Sequence, residues 1–389
     1  MKRKVAFFIK SLGIGGTERV LIAYLRGLVI ENKYDIELII NRNCDVNILL
    51  EDVPKEVTVK YILNKKFDSF LEEASVKRKK NIFYRVVYSI MMPIAKKYRE
   101  KEIEKLIKDD KIDILVDFER SFVKCAEKFS CKKVLWNHFT FDKLSKEGKE
   151  KWIKNLEKYD AIVAISNEML EEIGSFYPKK HKLFMLYNPQ SFDKIIDGSE
   201  KKSDLSKEEL DLLNDNYITY VGRVEKIKGL EDLIDAYAKI QNDINEKLYI
   251  IGTGNETENL KTLVDRLGLN KKILFLGNKS NPYIWMKHAK LFVTTTYGEG
   301  LPTTYIESMI CGTPVISYDS PTGPKDILGM GKYGCLVKMG DKNSFAIELK
   351  NLLKKKQSIE LYKENMKEKL KEFKIEIITK KFEDMIERI

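Results

Sequence analysis

A chain of 389 residues, 43% of them hydrophobic, is too long for one small core and predicts two domains of ordinary size. A formal net charge of +11 points to an anionic partner, whether nucleic acid, a membrane surface or a phosphorylated substrate, without choosing among them. Five scattered cysteines, Cys44, Cys125, Cys131, Cys311 and Cys335, contain no C-x2-C pair, which argues against structural zinc and fits a reducing compartment.

The chain opens M-K-R-K and runs directly into a first strand, Val5 to Ile9, rather than into the longer apolar stretch of a secretory signal, so no export is expected. That strand leads into Lys10-Ser11-Leu12-Gly13-Ile14-Gly15-Gly16-Thr17-Glu18 and a helix predicted from about Glu18 to Glu31. Adjacent glycines at a helix start let the backbone approach an anion, where free amides and the helix dipole favour phosphate. The dinucleotide fingerprint G-x-G-x-x-G fails because Glu18 stands in the third glycine's place. The alternative is a plain tight turn with Thr17 as helix N-cap.

Further strands are predicted at Ile36 to Ile40, Val57 to Leu63, Ile112 to Val116, Lys133 to Trp136 and Ala161 to Ile165, each followed by a helical pattern. Between Val76 and Lys101 lie Lys77, Arg78, Lys79, Lys80, Arg85, Lys96, Lys97, Arg99 and Lys101, around the apolar and aromatic middle Ile82 to Ile94. A cation-flanked apolar helix suggests an anionic membrane surface, and the alternative is a core-packing helix with solvated ends. No nucleic-acid-binding motif accompanies these cations, so nucleic acid is not expected as a partner. Val86 to Ala95 is well short of the roughly 20 apolar residues that span a bilayer. A cytoplasmic protein, peripheral at the inner face of the cell membrane, is the expectation.

Asn188-Pro189 and the Lys-, Asp-, Glu- and Ser-rich stretch up to Asn216 mark a junction near residue 190. A second series of strands then begins, at Tyr217 to Val221, Lys247 to Ile251, Ile273 to Leu276, Leu291 to Thr294, Thr313 to Ser317 and Cys335 to Val337. Alternation of this kind predicts parallel sheets, hence an α/β chain of two Rossmann-like, doubly wound domains facing a central cleft, where such sheets bind ligands. The boundaries expected are 1–190, 191–372 and a C-terminal helix over 373–389 that crosses back to the first domain.

In the second series, Tyr220-Val221-Gly222-Arg223 precedes Lys228-Gly229, so two cations at the end of one strand can neutralise a diphosphate; alternatively they are solvated surface charges. More specific is Tyr297-Gly298-Glu299-Gly300-Leu301-Pro302-Thr303-Thr304-Tyr305-Ile306-Glu307, followed by Cys311-Gly312-Thr313-Pro314-Val315-Ile316. A helix beginning near Pro302 or Thr303 leaves Glu299 in a glycine-flanked loop and Glu307 one turn inside. The free amides of Thr303 and Thr304 offer a second phosphate cradle.

These motifs, with Gly252-Thr253-Gly254 and Phe275-Leu276-Gly277, resemble glycosyltransferase family 4, a retaining group with the GT-B fold, in order and over nearly the whole chain. The resemblance implies that Arg223 and Lys228 hold the donor diphosphate, assisted by amides near Gly15, Gly16, Thr303 and Thr304. Glu307 would bind the ribose, Glu299 the donor sugar, and Leu301 would belong to the donor site. Gly252, Gly254, Asn278 and Lys279 would line the base pocket, and His138 would sit over the sugar near the reacting carbon. Tyr187-Asn188-Pro189 with Asp319 to Asp326 is similar to bacterial enzymes that build capsule, lipopolysaccharide or lipid-linked oligosaccharide. The activity implied is retaining transfer of a hexose or N-acetylhexosamine from a nucleotide sugar, UDP-linked by preference, to a glycan or polyprenyl-diphosphate-linked acceptor.

No D-x-D tripeptide occurs in the chain, so a metal-independent mechanism is expected, with no cofactor beyond the nucleotide-sugar substrate. The competing readings are a GT-B epimerase or phosphorylase, and a non-catalytic GT-B partner subunit of another transferase, which predicts damaged motifs. Arg223, Lys228, Glu299 and Glu307 are all intact.

Overall fold

A computed structural model of the chain describes residues 2–13, 15–43, 47–138, 141, 144–203 and 205–389; Ile14 of the first glycine loop and Cys44 lie outside the described residues. The chain divides into two compact units, one of residues 1–165, 169–189 and 378–389, the other of residues 166–168 and 190–377.

The first unit is built on β1 (Arg3–Ile9), β2 (Tyr34–Ile40), β3 (Thr58–Tyr61), β4 (Ile114–Asp117), β5 (Lys132–Asn137), β6 (Ala161–Ala164) and β7 (Leu183–Met185). They form one sheet in the order β3-β2-β1-β4-β5-β6-β7. Every pairing is parallel, with Val5 opposite Ile36 on one side and Ile114 on the other. Helices cover both faces, so β1 and β4 read as continuous apolar runs. β7 was not expected from the sequence: three half-buried residues at a sheet edge, preceded by lysines, carry little β pattern.

Burial of aromatic rings organises this unit. Tyr24 meets Trp136 edge-on at 4.6 Å, and Phe382, from the last helix Ile375–Arg388, stacks on Phe7 at 5.8 Å. That helix buries Ile378, Phe382, Met385 and Ile386, a single stripe of helical period. Arg3 Nη1 donates to the Ile386 carbonyl at 3.2 Å and Lys33 pairs with Glu383 at 2.6 Å, so the chain's end is part of this unit's core.

The second unit repeats the architecture with β8 (Tyr217–Val221), β9 (Lys247–Ile251), β10 (Ile273–Gly277), β11 (Phe292–Thr294), β12 (Val315–Asp319) and β13 (Cys335–Lys338), ordered β10-β9-β8-β11-β12-β13 and parallel throughout. β12 starts two residues later than expected because Thr313 is spent on the turn before it: its hydroxyl donates to the Met286 carbonyl at 2.7 Å. In both sheets the strand order reverses beside the first strand, between β1 and β4 and between β8 and β11, and ligands of open α/β sheets bind at the carboxyl ends there.

The basic segment departs from core packing. Helix Ile82–Asp109 buries only Ala95, Ile103 and Ile107, while Ile82, Val86, Ile90 and Ile94 are 53–75% exposed. No helix among the described residues is long and apolar enough to cross a membrane. Cys125, Cys131, Cys311 and Cys335 are buried and unpaired, and burial pushes the Cys311 thiol up to about 12, so these are inert packing thiols.

Candidate functional site

In the first unit, the loop after β1 delivers Gly15 and Gly16 to the start of helix Gly16–Glu31. Gly15, not Thr17, is the N-cap; its backbone is extended and no side chain caps the helix, so the first-turn amides begin at Gly16. Glu18 folds back over Gly15, so that a Cβ added there would collide with its carboxylate. Burial, with Glu119 nearby, raises the Glu18 pKa.

At the end of β4, Asp117 is buried and fully used. It accepts from the amides of Ser121 at 2.7 Å and Phe122 at 2.8 Å and from the Tyr159 hydroxyl at 2.8 Å, which fixes the loop after β4. His138 follows β5, half-buried, its ring edge-on to Phe118 at 4.9 Å. Its Nε2 is shielded and finds no hydrogen-bond partner among the described residues. Burial first, and the positive Arg120 second, push its pKa down to about 4. His138 is therefore a neutral imidazole at pH 7.

This makes a stability prediction. The folded pKa lies below the ordinary 6.5, so as pH falls the unfolded chain takes the proton first. The stabilisation from keeping His138 neutral is complete above pH 6.5 and is lost as pH falls through 4. The loss amounts to roughly 3 kcal/mol. Urea unfolding at pH 7.5 and 4.5 should show a smaller acid loss in His138→Gln than in the parent protein, and an equal loss would remove the histidine from the account.

In the second unit, Arg223 and Lys228 follow β8. Arg223 is exposed and bonded to Glu225 at 2.7 Å. Lys228 ends a 3-10 turn, Lys226–Lys228, that is tied to the loop after β11: Tyr297 N donates to the Ile227 carbonyl at 2.9 Å and Thr295 Oγ1 to the Gly229 carbonyl at 2.8 Å. Gly229 has φ +64, and a Cβ there would strike the Thr295 carbonyl, so this close approach requires glycine. The result is a direct ion pair of Lys228 with Glu299, the two side chains 13% and 23% exposed. The clamp cation and the glycine-flanked carboxylate, 71 residues apart in sequence, are one charge pair.

Helix Thr303–Ile310 starts after Pro302 without a side-chain cap, which leaves the first amides, those of Thr303 and Thr304, at an open helix N-terminus. Leu301, two residues before the helix, is buried, and Glu307 is half-buried one turn in. The loop after β12 supports this arrangement. Thr322, buried at φ 58, donates its hydroxyl to the Glu299 carbonyl. Gly323 packs where any Cβ would meet Pro302 Cδ at 2.6 Å, and its amide donates to Glu168 at 3.2 Å. Sequence reasoning gave Thr322, Gly323 and Glu168 no such supporting role; the only signal was the segment Asp319 to Asp326.

The expected base-pocket residues differ in their surroundings. Gly252 and Gly254 are small because the Gly222 and Val224 carbonyls occupy the space their side chains would need. The loops interlock through Gly222 N to Ile251 O and Val224 N to Thr253 O, both 3.0 Å. Asn278 is exposed after β10. Lys279 reaches Glu209 at 2.6 Å and lies over the Trp285 ring at 5.8 Å. Among the described residues no group of three or more His, Cys, Asp or Glu side chains is placed to hold a metal.

Residues 201–372 match the family described as glycosyl transferases group 1. Over 219 residues the chain is 32% identical to the N-acetylgalactosamine-N,N'-diacetylbacillosaminyl-diphospho-undecaprenol 4-alpha-N-acetylgalactosaminyltransferase of Campylobacter jejuni, a match covering 56% of this chain and 57% of that protein. The chain thus spans little more than half the length of that relative. An uncharacterized glycosyltransferase of Haemophilus influenzae is 25% identical over 349 residues, 87% of each chain. The crystal structure of Anabaena HepE with UDP and glucose superposes with a TM-score of 0.76 over 100% of both chains at 17% identity, a likeness of fold. The two Rossmann-like units are those of the GT-B fold.

Proposed function

From the membership of residues 201–372 in the glycosyl transferases group 1 family, we propose that the chain is a retaining glycosyltransferase of bacterial surface polysaccharide synthesis. It moves a hexose or N-acetylhexosamine from a UDP-sugar to a glycan or polyprenyl-diphosphate-linked acceptor, at an anionic membrane surface. The observation that carries this reading is the Lys228–Glu299 pair beside the open N-terminus of helix Thr303–Ile310, with Arg223 on the same strand end as Lys228.

Departure of a nucleoside diphosphate leaves negative charge on its phosphate oxygens and cationic character on the sugar. Lys228, Arg223 and the amides of Thr303 and Thr304 stabilise the anion by fixed positive charge and oriented dipoles, aimed where charge develops. When the diphosphate engages Lys228, Glu299 is released to accept hydroxyls of the donor sugar. Glu307 takes the ribose. Backbone around Gly252 and Gly254, with Asn278 and Lys279, meets the base. Charge neutralisation by these groups lets the reaction run without a metal ion, and the leaving phosphate itself takes the acceptor proton on the retained face.

Thermal melting with UDP, GDP and ADP in the presence of EDTA tests this. Saturating UDP at a hundredfold excess over its Kd should add about 2.7 kcal/mol, a rise of several degrees, in the wild type. Arg223→Ala/Lys228→Ala should abolish the rise. No rise with any nucleoside diphosphate would sink the donor site and favour a non-catalytic partner subunit.

A further inference from the structure

In the Lys228–Glu299 ion pair, a cation assigned to the diphosphate and a carboxylate assigned to the sugar occupy one another. Among the described residues neither has a second ion-pair partner, whereas Arg223, the other clamp cation, is exposed and bonded to Glu225.

The backbones on both sides of the pair are anchored. Tyr297, two residues before Glu299, donates its amide to the Ile227 carbonyl at 2.9 Å and its hydroxyl to Asp232, in the first turn of helix Leu230–Ile240. Tyr318, from β12, donates to the same carboxylate at 3.2 Å, and the Lys342 ammonium approaches it at 3.6 Å. On the far side of the loop, the Thr322 hydroxyl holds the Glu299 carbonyl. With turn and loop tied in this way, the pair opens by rotation of two side chains and not by separation of the segments that carry them.

That anchoring has a thermodynamic consequence. A diphosphate without a sugar that takes Lys228 leaves Glu299 as a sheltered carboxylate with no cation, beside newly added negative charge. A sheltered charge deprived of its partner is costly. A diphosphate that carries a sugar brings hydroxyl donors to the same carboxylate and removes that cost. Two ligand groups that divide one ion pair between them are therefore coupled, and the coupling is reciprocal.

We propose that Glu299 discriminates against the sugar-free nucleotide: by competing with its phosphates for Lys228 it weakens the binding of UDP relative to that of the UDP-sugar, and after transfer the re-formed Lys228–Glu299 pair expels the product. This rests on the donor reading given above and adds to it a role for Glu299 in product release.

The experiment is isothermal titration of the full chain with UDP in the wild type, Glu299→Gln, Lys228→Met and the double variant. Glu299→Gln should bind UDP about tenfold more tightly than the wild type, within the range of coupling between linked sites. A residue that merely lined the donor site, or merely stabilised the loop, would give no change or a loss. In the Lys228→Met background the same substitution should change UDP affinity by about threefold at most, because the cation under competition is gone and the two effects do not add. If Lys228→Met binds no UDP, the first comparison decides alone; if Glu299→Gln does not fold, Glu299→Ala carries it. Unchanged or weaker UDP binding in Glu299→Gln, or an equal gain in the Lys228→Met background, as plain charge repulsion would give, would overturn the proposal and leave the UDP site in place. Absence of UDP binding in the wild type would instead remove the donor reading, and this proposal with it.

Discussion

Lys228→Ala is expected to lower kcat/KM for transfer from a UDP-sugar by about a thousandfold, the scale on which one preorganised group at a developing oxyanion acts. Glu299→Gln should cost activity chiefly through the sugar, raising KM and lowering kcat together. Stability should behave differently from activity, because Lys228 and Glu299 form one sheltered ion pair. Removing either partner leaves the other charge sheltered and alone, at a cost of about 1–3 kcal/mol, discounted from the fully buried case because both side chains keep some solvent. The double variant Lys228→Met/Glu299→Gln should recover most of that stability and none of the activity. Urea unfolding combined with a UDP-release assay separates the two, and a double variant as unstable as the sum of the singles would mean that the pair is not coupled.

The second large effect concerns the glycines of the expected base pocket. Gly252→Ala and Gly254→Ala should each destabilise the second unit by about 3 kcal/mol or more, because the new methyl group meets backbone, the Gly222 or Val224 carbonyl, which cannot rotate away. Gly252 adds strain at φ +128, a conformation side chains rarely adopt. Gly16→Ala is the contrast: nothing lies within 4 Å of its Cβ position, and it opens a helix, so its stability should stay within about 1 kcal/mol of wild type. Thermal melting of the three variants checks the order. Similar melting temperatures for all three would show that the loop interlock at Gly222 to Gly254 contributes little.

Some of this was legible because the signals are local. Strands such as Val5 to Ile9 and Ala161 to Ala164 are unbroken apolar runs that suit a sheet covered on both faces, and the glycine loops and Pro302 mark the carboxyl ends where helices start. The position of Glu299 in its loop and of Glu307 one turn into a helix follows from spacing alone. β7 was invisible, since three residues at an edge leave no periodicity to read.

What the sequence could not decide is which groups meet. That Lys228 pairs with Glu299, that Lys279 turns to Glu209, and that Thr322 and Gly323 support the Glu299 loop all depend on contacts between loops of different strands. The same holds for the apolar first half of helix Ile82–Asp109: its composition fits burial or exposure equally, and only the packing of its inner face around a cavity leaves the outer stripe uncovered. Sequence fixes periods of 2 and 3.6 residues, which determine elements and their order; long-range packing and electrostatics, settled by the free energy of the whole fold, determine partners.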